Sequence, residues 1–147
     1  MDAADIVKAY FEAGERGDWI AFAGFLDDEF VFTAVPVTQN KTELLSSTRA
    51  LWGAFPDLKF NFRARSVENN VVKGTYQITG THTGLLIPPM EDQFVAFPPT
   101  GKYISLPQAE IEMTLRGDKI IRQKNEPKGE SSWPGIFEQI GVESPYS

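Results

Sequence analysis

The feature that most constrains this chain is a change of hydrophobic period at Phe55-Pro56-Asp57. Before that point apolar residues recur at helical spacing, and after it they alternate. Asp2 can cap a first helix whose stripe is Ile6, Val7, Tyr10 and Phe11, with Gly14 and Gly17 ending it. Asp18 can cap a short second helix carrying Trp19, Phe22, Ala23 and Leu26, which leaves Asp27, Asp28 and Glu29 at a solvated helix end. Phe30 to Val35 alternates as a strand that Pro36 stops. Asn40 with Glu43 resembles a capping box, and Leu44, Leu45, Thr48, Leu51, Trp52 and Phe55 keep helical period behind it. Pro56 ends that helix by pushing the residue before it out of the α region.

From Leu58 onward Phe60, Phe62 and Ala64 alternate with polar residues, and Asn69-Asn70 makes a turn. Val72, Gly74, Tyr76, Ile78, Gly80 and His82 share one face of the next strand. The proline-rich segment Gly84 to Gly101 predicts a loop, with Met90 and Phe94 placed to form a lid or to pack on the sheet edge. A strand from Lys102 to Arg116, interrupted or bulged at Pro107, a turn, a strand from Ile120 to Glu126 and a short helix near Gly135–Ile140 complete the chain. Helices come first and strands after. That order predicts one α+β domain over residues 1–147 with a largely antiparallel sheet, and it disfavours a doubly wound fold.

The last two strands fix a register. Ala109, Ile111, Met113 and Leu115 share one face; Gln123 and Asn125 share a face with Ile121 on the following strand. A three-residue turn, Gly117 to Lys119 with Asp118 left-handed, sets Leu115 across from Ile121, Met113 from Gln123 and Ile111 from Asn125. It also sets Glu112 across from Lys124. This register separates an apolar face holding two neutral amides from a charge ladder, whereas a two-residue turn mixes the faces.

Composition excludes several function classes. The net charge of −6 and the lack of any Lys/Arg cluster oppose binding to a phosphate backbone. No apolar run reaches the ~20 residues of a membrane span, and the acidic start Met1-Asp2-Ala3-Ala4-Asp5 does not resemble a signal peptide. With no cysteine and one histidine, neither thiolate chemistry nor a metal site is expected. A cytoplasmic location is the default expectation. Aromatic residues make up 12%, which suits a ring-lined core or a pocket for a flat apolar ligand.

Five stretches then occur in an ordered series: Phe55-Pro56-Asp57-Leu58, Gly80-Thr81-His82-Thr83-Gly84, Pro98-Pro99-Thr100-Gly101, Gly117-Asp118-Lys119-Ile120 and Gly135-Ile136-Phe137-Glu138-Gln139-Ile140-Gly141. In this the chain resembles the SnoaL-like polyketide cyclase family of the nuclear transport factor 2-like superfamily, over nearly its whole length. The resemblance implies a cone-shaped α+β barrel, with helices packed on a strongly curved sheet around a pocket. It implies a homodimer through the outer sheet face and no metal or organic cofactor. Catalytic members close a ring by an intramolecular aldol reaction, with an aspartate on the last strand and a histidine on the preceding one. Those positions fall here on Asn125 and Ile111, which the register makes direct partners. Neither can transfer a proton at neutral pH. The turn reads Gly-Asp where the family usually has Asp-Gly, and a one-residue slip would bring Glu110, Glu112 or Glu126 nearer the site.

The remaining candidates are each open to a plainer structural role. His82 either closes the end of the sheet through hydrogen bonds or points into the pocket as a titrating group. Gln123 and Asn125 are either satisfied core amides or donors to a ligand carbonyl. Tyr10, Trp19, Phe32, Trp52, Tyr76, Ile111, Met113 and Gln123 are the candidate substrate-binding residues; the plainer reading is core, and in a cone core and pocket lining are one layer. Glu110 and Glu112 fit an outward salt-bridged face better than an acid–base pair. Ketosteroid isomerases, which share the cone, place a carboxylate on the first strand, and Val31–Val35 holds none. The expected ligand is a small apolar or aromatic carbonyl compound, to be cyclised, isomerised or hydrated without the family pair. The alternative is a non-catalytic binding or dimerisation module. His82 and Asn125 are the candidate catalytic positions, with Tyr76 and Gln123 beside them.

Overall fold

The computed structural model describes residues 1–34, 37–90, 93–126 and 133–146. Helix α1 (Ala3–Arg16) starts where the Asp2 carboxylate accepts the Asp5 N–H at 2.8 Å and ends at Gly17, whose φ is +70°. A side chain at Gly17 would be strained by that φ and would place its Cβ 2.7 Å from the Trp52 ring, so the chain turns there only with glycine. Gly14 does not end the helix as expected. It lies inside α1, where its missing side chain admits the Phe22 ring.

Helix α2 (Trp19–Gly24) is capped by Asp18, which accepts from the Ala21 N–H at 3.2 Å. Leu26, expected on this helix, instead opens strand β1 (Leu26–Ala34), and Asp27, Asp28 and Glu29 lie on that strand, not at a helix end. The Phe25 carbonyl accepts from the Ile120 N–H at 2.8 Å and draws the chain into the sheet. Pro36, expected to stop the strand, lies outside the described residues. Strand β2 (Val37–Asn40) pairs antiparallel with β1 and was not anticipated. Helix α3 (Lys41–Ala54) begins with a complete capping box, Asn40 and Glu43 each accepting the other's backbone N–H at 2.9 Å.

Beyond α3 come β3 (Arg63–Glu68), β4 (Val71–Tyr76), β5 (Thr79–Thr81), β6 (Tyr103–Ser105), β7 (Ala109–Arg116), β8 (Lys119–Glu126) and α4 (Trp133–Ile140). The strand expected through Val72 to His82 is divided, and the one expected from Lys102 to Arg116 is interrupted at Pro107 as its sequence implies. The Gln77 N–H goes to the Phe60 carbonyl at 2.7 Å and the Leu106 N–H to the Ile78 carbonyl at 2.9 Å, while Pro107 has no N–H to offer. The chain therefore breaks between β4 and β5 and again between β6 and β7, and β5 pairs with β6 in a small second sheet.

The main sheet has six strands in the order β2-β1-β8-β7-β4-β3, antiparallel except for the parallel pair β1–β8. Register shifts in the β1–β8, β3–β4 and β7–β8 pairs bend it, as the expected curved α+β cone requires. The first three helices contact one another and the sheet strands. Val7, Tyr10 and Phe22 from the helices and Leu26, Phe30, Val72, Met113, Leu115 and Ile120 from the sheet form the core between them. Arg122, Lys124 and Glu126 on β8 are exposed.

Candidate functional site

The β7–β8 hairpin positions the site. Arg116 pairs with Lys119, so the turn is the two residues Gly117 and Asp118 and not three. Gly117 takes the positive φ, +64°, which was expected at Asp118; glycine at the first central position is the demand of a II′ turn. Leu115 faces Ile120, not Ile121, and a register shift follows before Thr114 pairs with Arg122. The bulge at Ile121 adds to β8 the one residue that a three-residue turn would have added. Beyond it the pairs Met113–Gln123, Glu112–Lys124 and Ile111–Asn125 are those the face-sorting argument selects. Glu110, Glu112 and Glu126 are on the other face from Asn125 and were not brought to it by a slip.

On the helix-facing side, three polar side chains form a line. The Tyr10 hydroxyl of α1 donates to Gln123 Oε1 at 2.9 Å, and Gln123 Nε2 donates to Asn125 Oδ1 at 3.1 Å. Tyr10 is 1% exposed and Gln123 5%, whereas Asn125 is half-buried. Burial pushes the Tyr10 hydroxyl far above the usual phenol range, so it is a fixed proton donor. Asn125 Nδ2 has no hydrogen-bond partner among the described residues. Phe32 pairs with Gln123 from β1 and is half-buried; Met113 and Ile111 flank the two amides from β7. Tyr76, across from Ala109, is buried.

His82 is placed differently. It is 0% exposed, and its ring lies 5.3 Å from that of Phe55. Nδ1 accepts the Thr100 N–H at 3.3 Å and stands 3.0 Å from Thr100 Oγ1, which itself accepts the Lys102 N–H. These roles put the ring proton on Nε2, which is buried without a hydrogen-bond partner among the described residues. Burial lowers the imidazole below its ordinary pKa; the Gly84 backbone acts the other way without meeting hydrogen-bond geometry at Nε2. Two of the sequence motifs thus meet at His82 and Thr100. Thr100 carried no signal of its own in the sequence beyond that motif. The hydrogen bonds and ring contact of His82 share no residue with the Tyr10–Gln123–Asn125 line.

Trp19 and Trp52 pack edge to face at 6.0 Å, Trp19 also against Phe22, and Trp52 Nε1 donates to the Glu15 carbonyl at 3.2 Å. Tyr10 stacks on Phe22 at 4.5 Å. The loop between β5 and β6 is anchored by paired Leu86 and Phe97 backbones, by the Phe97 ring on Phe137, and by the Tyr146 hydroxyl donating to the Pro89 carbonyl. Phe94 is exposed.

Two concavities open at the surface. One, of about 360 Å³, lies among Arg65, Ser66, Lys73, Glu110, Glu112 and Glu126 and is also lined by Ile111, the cross-strand partner of Asn125; an Arg65–Glu110 ion pair at 3.0 Å spans part of it. The other, of about 440 Å³, lies among Met1, Ile6, Phe25 and Lys119. Neither is lined by Gln123, Asn125 or His82. Among the described residues no three His, Asp or Glu side chains are placed to hold a metal, and no helix is long and apolar enough to cross a membrane.

Solved structures share this fold at low identity. A candidate polyketide cyclase from Xanthomonas campestris is 19% identical with a TM-score of 0.68, covering 95% of this chain and 96% of its own. AclR, a candidate hydroxylase from Streptomyces galilaeus, is 17% identical with a TM-score of 0.71 and 95% of each chain covered. IdmH, a candidate polyketide cyclase from Streptomyces antibioticus, is 17% identical with a TM-score of 0.67, covering 97% of this chain and 100% of its own. No protein of curated function matches the sequence. The SnoaL-like domain profile matches residues 7–123, from the first buried valine of α1 to the amide that Tyr10 holds, and the chain therefore belongs to the SnoaL-like domain family.

Proposed function

We propose that this domain binds a small, mostly apolar carbonyl compound on the helix-facing side of its sheet, with the Asn125 amide donating to the ligand oxygen. The observation that carries this reading is Asn125 Nδ2, without a hydrogen-bond partner among the described residues, at the end of a line in which the Tyr10 proton and the Gln123 oxygen are committed to each other. A donor held in place on a carbonyl oxygen makes that carbon more electrophilic and its neighbouring C–H more acidic, which serves a cyclase or isomerase type of reaction. Such polarisation needs no metal or organic cofactor. It does need a base, and Ile111 and Asn125 at the family's dyad positions supply none. A second reading, a binding domain without turnover, is favoured by the enclosure of His82. On either reading two copies pair through the outer sheet face, where cations and carboxylates alternate.

The test is calorimetric titration with small aromatic ketones, tetralone among them. Asn125→Leu, which keeps the side chain's size, should weaken binding on the order of tenfold, the size of one hydrogen bond. Equal affinity in the variant would remove Asn125 from the ligand contact. Turnover lost in His82→Ala with binding retained would make His82 the titrating group; turnover unchanged would eliminate it. Light scattering at micromolar concentration tests the dimer.

A further inference from the structure

We propose that Gln123, held by Tyr10, sets the hydrogen-bond polarity of this site, so that it takes a ligand oxygen that accepts and turns away a ligand N–H that donates. The proposal rests on Asn125 being the ligand contact and adds which chemistry that contact selects. Its basis is a count of donors in a place without room for error. The Tyr10 hydroxyl has one proton, and its acceptor is Gln123 Oε1 at 2.9 Å. If the Gln123 amide were turned over, its Nε2 would face the phenol oxygen and the phenol proton would be stranded in a residue 1% exposed. Oε1 is therefore committed to Tyr10, and Nε2 is the group left to face Asn125. It meets Oδ1 at 3.1 Å. That bond turns the oxygen arm of the Asn125 amide toward Gln123, so Nδ2, on the other arm, is the group left for a ligand on the far side.

The line therefore runs in one direction: phenol O–H to amide oxygen, amide N–H to amide oxygen, amide N–H to ligand. Presenting the Asn125 oxygen instead would require both amides to turn and would strand the Tyr10 proton. A residue 113 positions from Gln123 in the chain thus guards the polarity of a group that it does not touch. Tyr10 and Gln123 are positioning residues. The ligand class is that of ketones, esters, quinones and enolate or phenolate oxygens. Flat compounds of the same shape carrying N–H at that place are excluded.

Two variants change the direction in different ways. In Gln123→Glu the carboxylate accepts from Tyr10 and from Asn125 Nδ2 together, turning Asn125 so that its oxygen faces the ligand. In Tyr10→Phe the constraint is released and both directions coexist. The experiment has a protein-only arm and a ligand arm. In ligand-free, ¹⁵N-labelled protein, the Gln123 side-chain amide protons should exchange with water on the order of tenfold more slowly than those of Asn125, and Gln123→Glu should slow those of Asn125. The ligand arm compares tetralone with tetrahydroquinoline, which replaces the carbonyl by a neutral N–H. The wild type should prefer tetralone on the order of tenfold, Tyr10→Phe should lose most of that preference, and Gln123→Glu should reverse it. Faster exchange at Gln123 than at Asn125 in the wild type overturns the polarity proposal whatever binds. Tetralone binding at Asn125 with its preference unchanged in both variants overturns it as well, and leaves the carbonyl-binding reading standing. Slow Gln123 exchange with no tetralone contact at Asn125 overturns the ligand reading and the selectivity with it.

Discussion

Replacing Tyr10 by phenylalanine removes one oxygen and leaves the ring where it is, stacked at 4.5 Å on Phe22 and edge-on at 5.0 Å to Phe11. The cost falls on Gln123, whose Oε1 becomes a buried acceptor without a donor, at about 1–3 kcal/mol. Gln123→Leu makes the reciprocal defect, a buried phenol O–H without an acceptor, at a similar cost of about 1–3 kcal/mol. Together the two substitutions replace the Tyr10–Gln123 pair by two apolar groups in contact, which is close to neutral for that pair. The bond from Gln123 to Asn125 is lost in Gln123→Leu and in the double variant alike and cancels in the comparison. The double variant should therefore be more stable than the sum of the singles implies, by about 2–6 kcal/mol, the two single penalties together. Urea unfolding of the four proteins reads this directly. With a slope of about 1–3 kcal/mol per molar, a loss of about 2 kcal/mol moves the midpoint by roughly 1 M. Singles that add within about 0.5 kcal/mol would refute the pairing and the orientation argued from it.

Three further outcomes follow from particular contacts. His82 has its imidazole pKa lowered by burial, with the Gly84 backbone opposing. Its contribution to stability is thus full above the unfolded value of about 6.5 and is lost as pH falls toward the folded one. His82→Asn, which keeps an acceptor for the Thr100 N–H, should flatten urea midpoints measured from pH 7.5 down to 5 relative to wild type; identical slopes would contradict the assignment. Asp57 sits below the usual carboxylate range: burial pushes it up, but hydrogen bonds from the Thr81 N–H and hydroxyl, at 2.7 and 2.8 Å, prevail. The stability it confers is present above about pH 4 and is lost as pH falls through its folded value, so Asp57→Asn should shrink the acid-side loss in a pH–melting series. Gly17→Ala should cost about 1–2 kcal/mol through the left-handed backbone. It should also shift tryptophan emission, because the new Cβ displaces the Trp52 ring; unchanged emission would contradict that close approach.

What the sequence displays and what it conceals divide by the range of the interaction. The caps at Asp2, Asp18 and Asn40–Glu43 are local hydrogen bonds over three residues, and each is where the residue types place it. The pairing of Ile111 with Asn125 is legible because only one register separates apolar from charged residues, even though a bulge and not a longer turn supplies the extra residue. The break at Pro107 is legible, because a proline has no N–H for a ladder. The split at Gln77 is not, since the backbone bond that decides it runs to Phe60, in another segment of the chain. Leu26 shows the limit of periodicity, since a buried leucine fits the end of a helix stripe and the start of a strand equally well. Gln123 and Asn125 are identifiable as inward amides, but the direction of their hydrogen bonds depends on Tyr10, 113 residues from Gln123. His82 likewise shows its place on an inward face in the sequence, and its enclosure by Phe55 and Thr100 only in three dimensions.

The most direct test of a carbonyl site at Asn125 is a crystal structure of the domain soaked with tetralone. The ketone oxygen should lie about 2.7–3.2 Å from Asn125 Nδ2, with Gln123 still bonded to Tyr10 behind it. Tetralone seated instead in the charged concavity between Arg65 and Glu126, or an Asn125 amide turned away from it, would contradict the account.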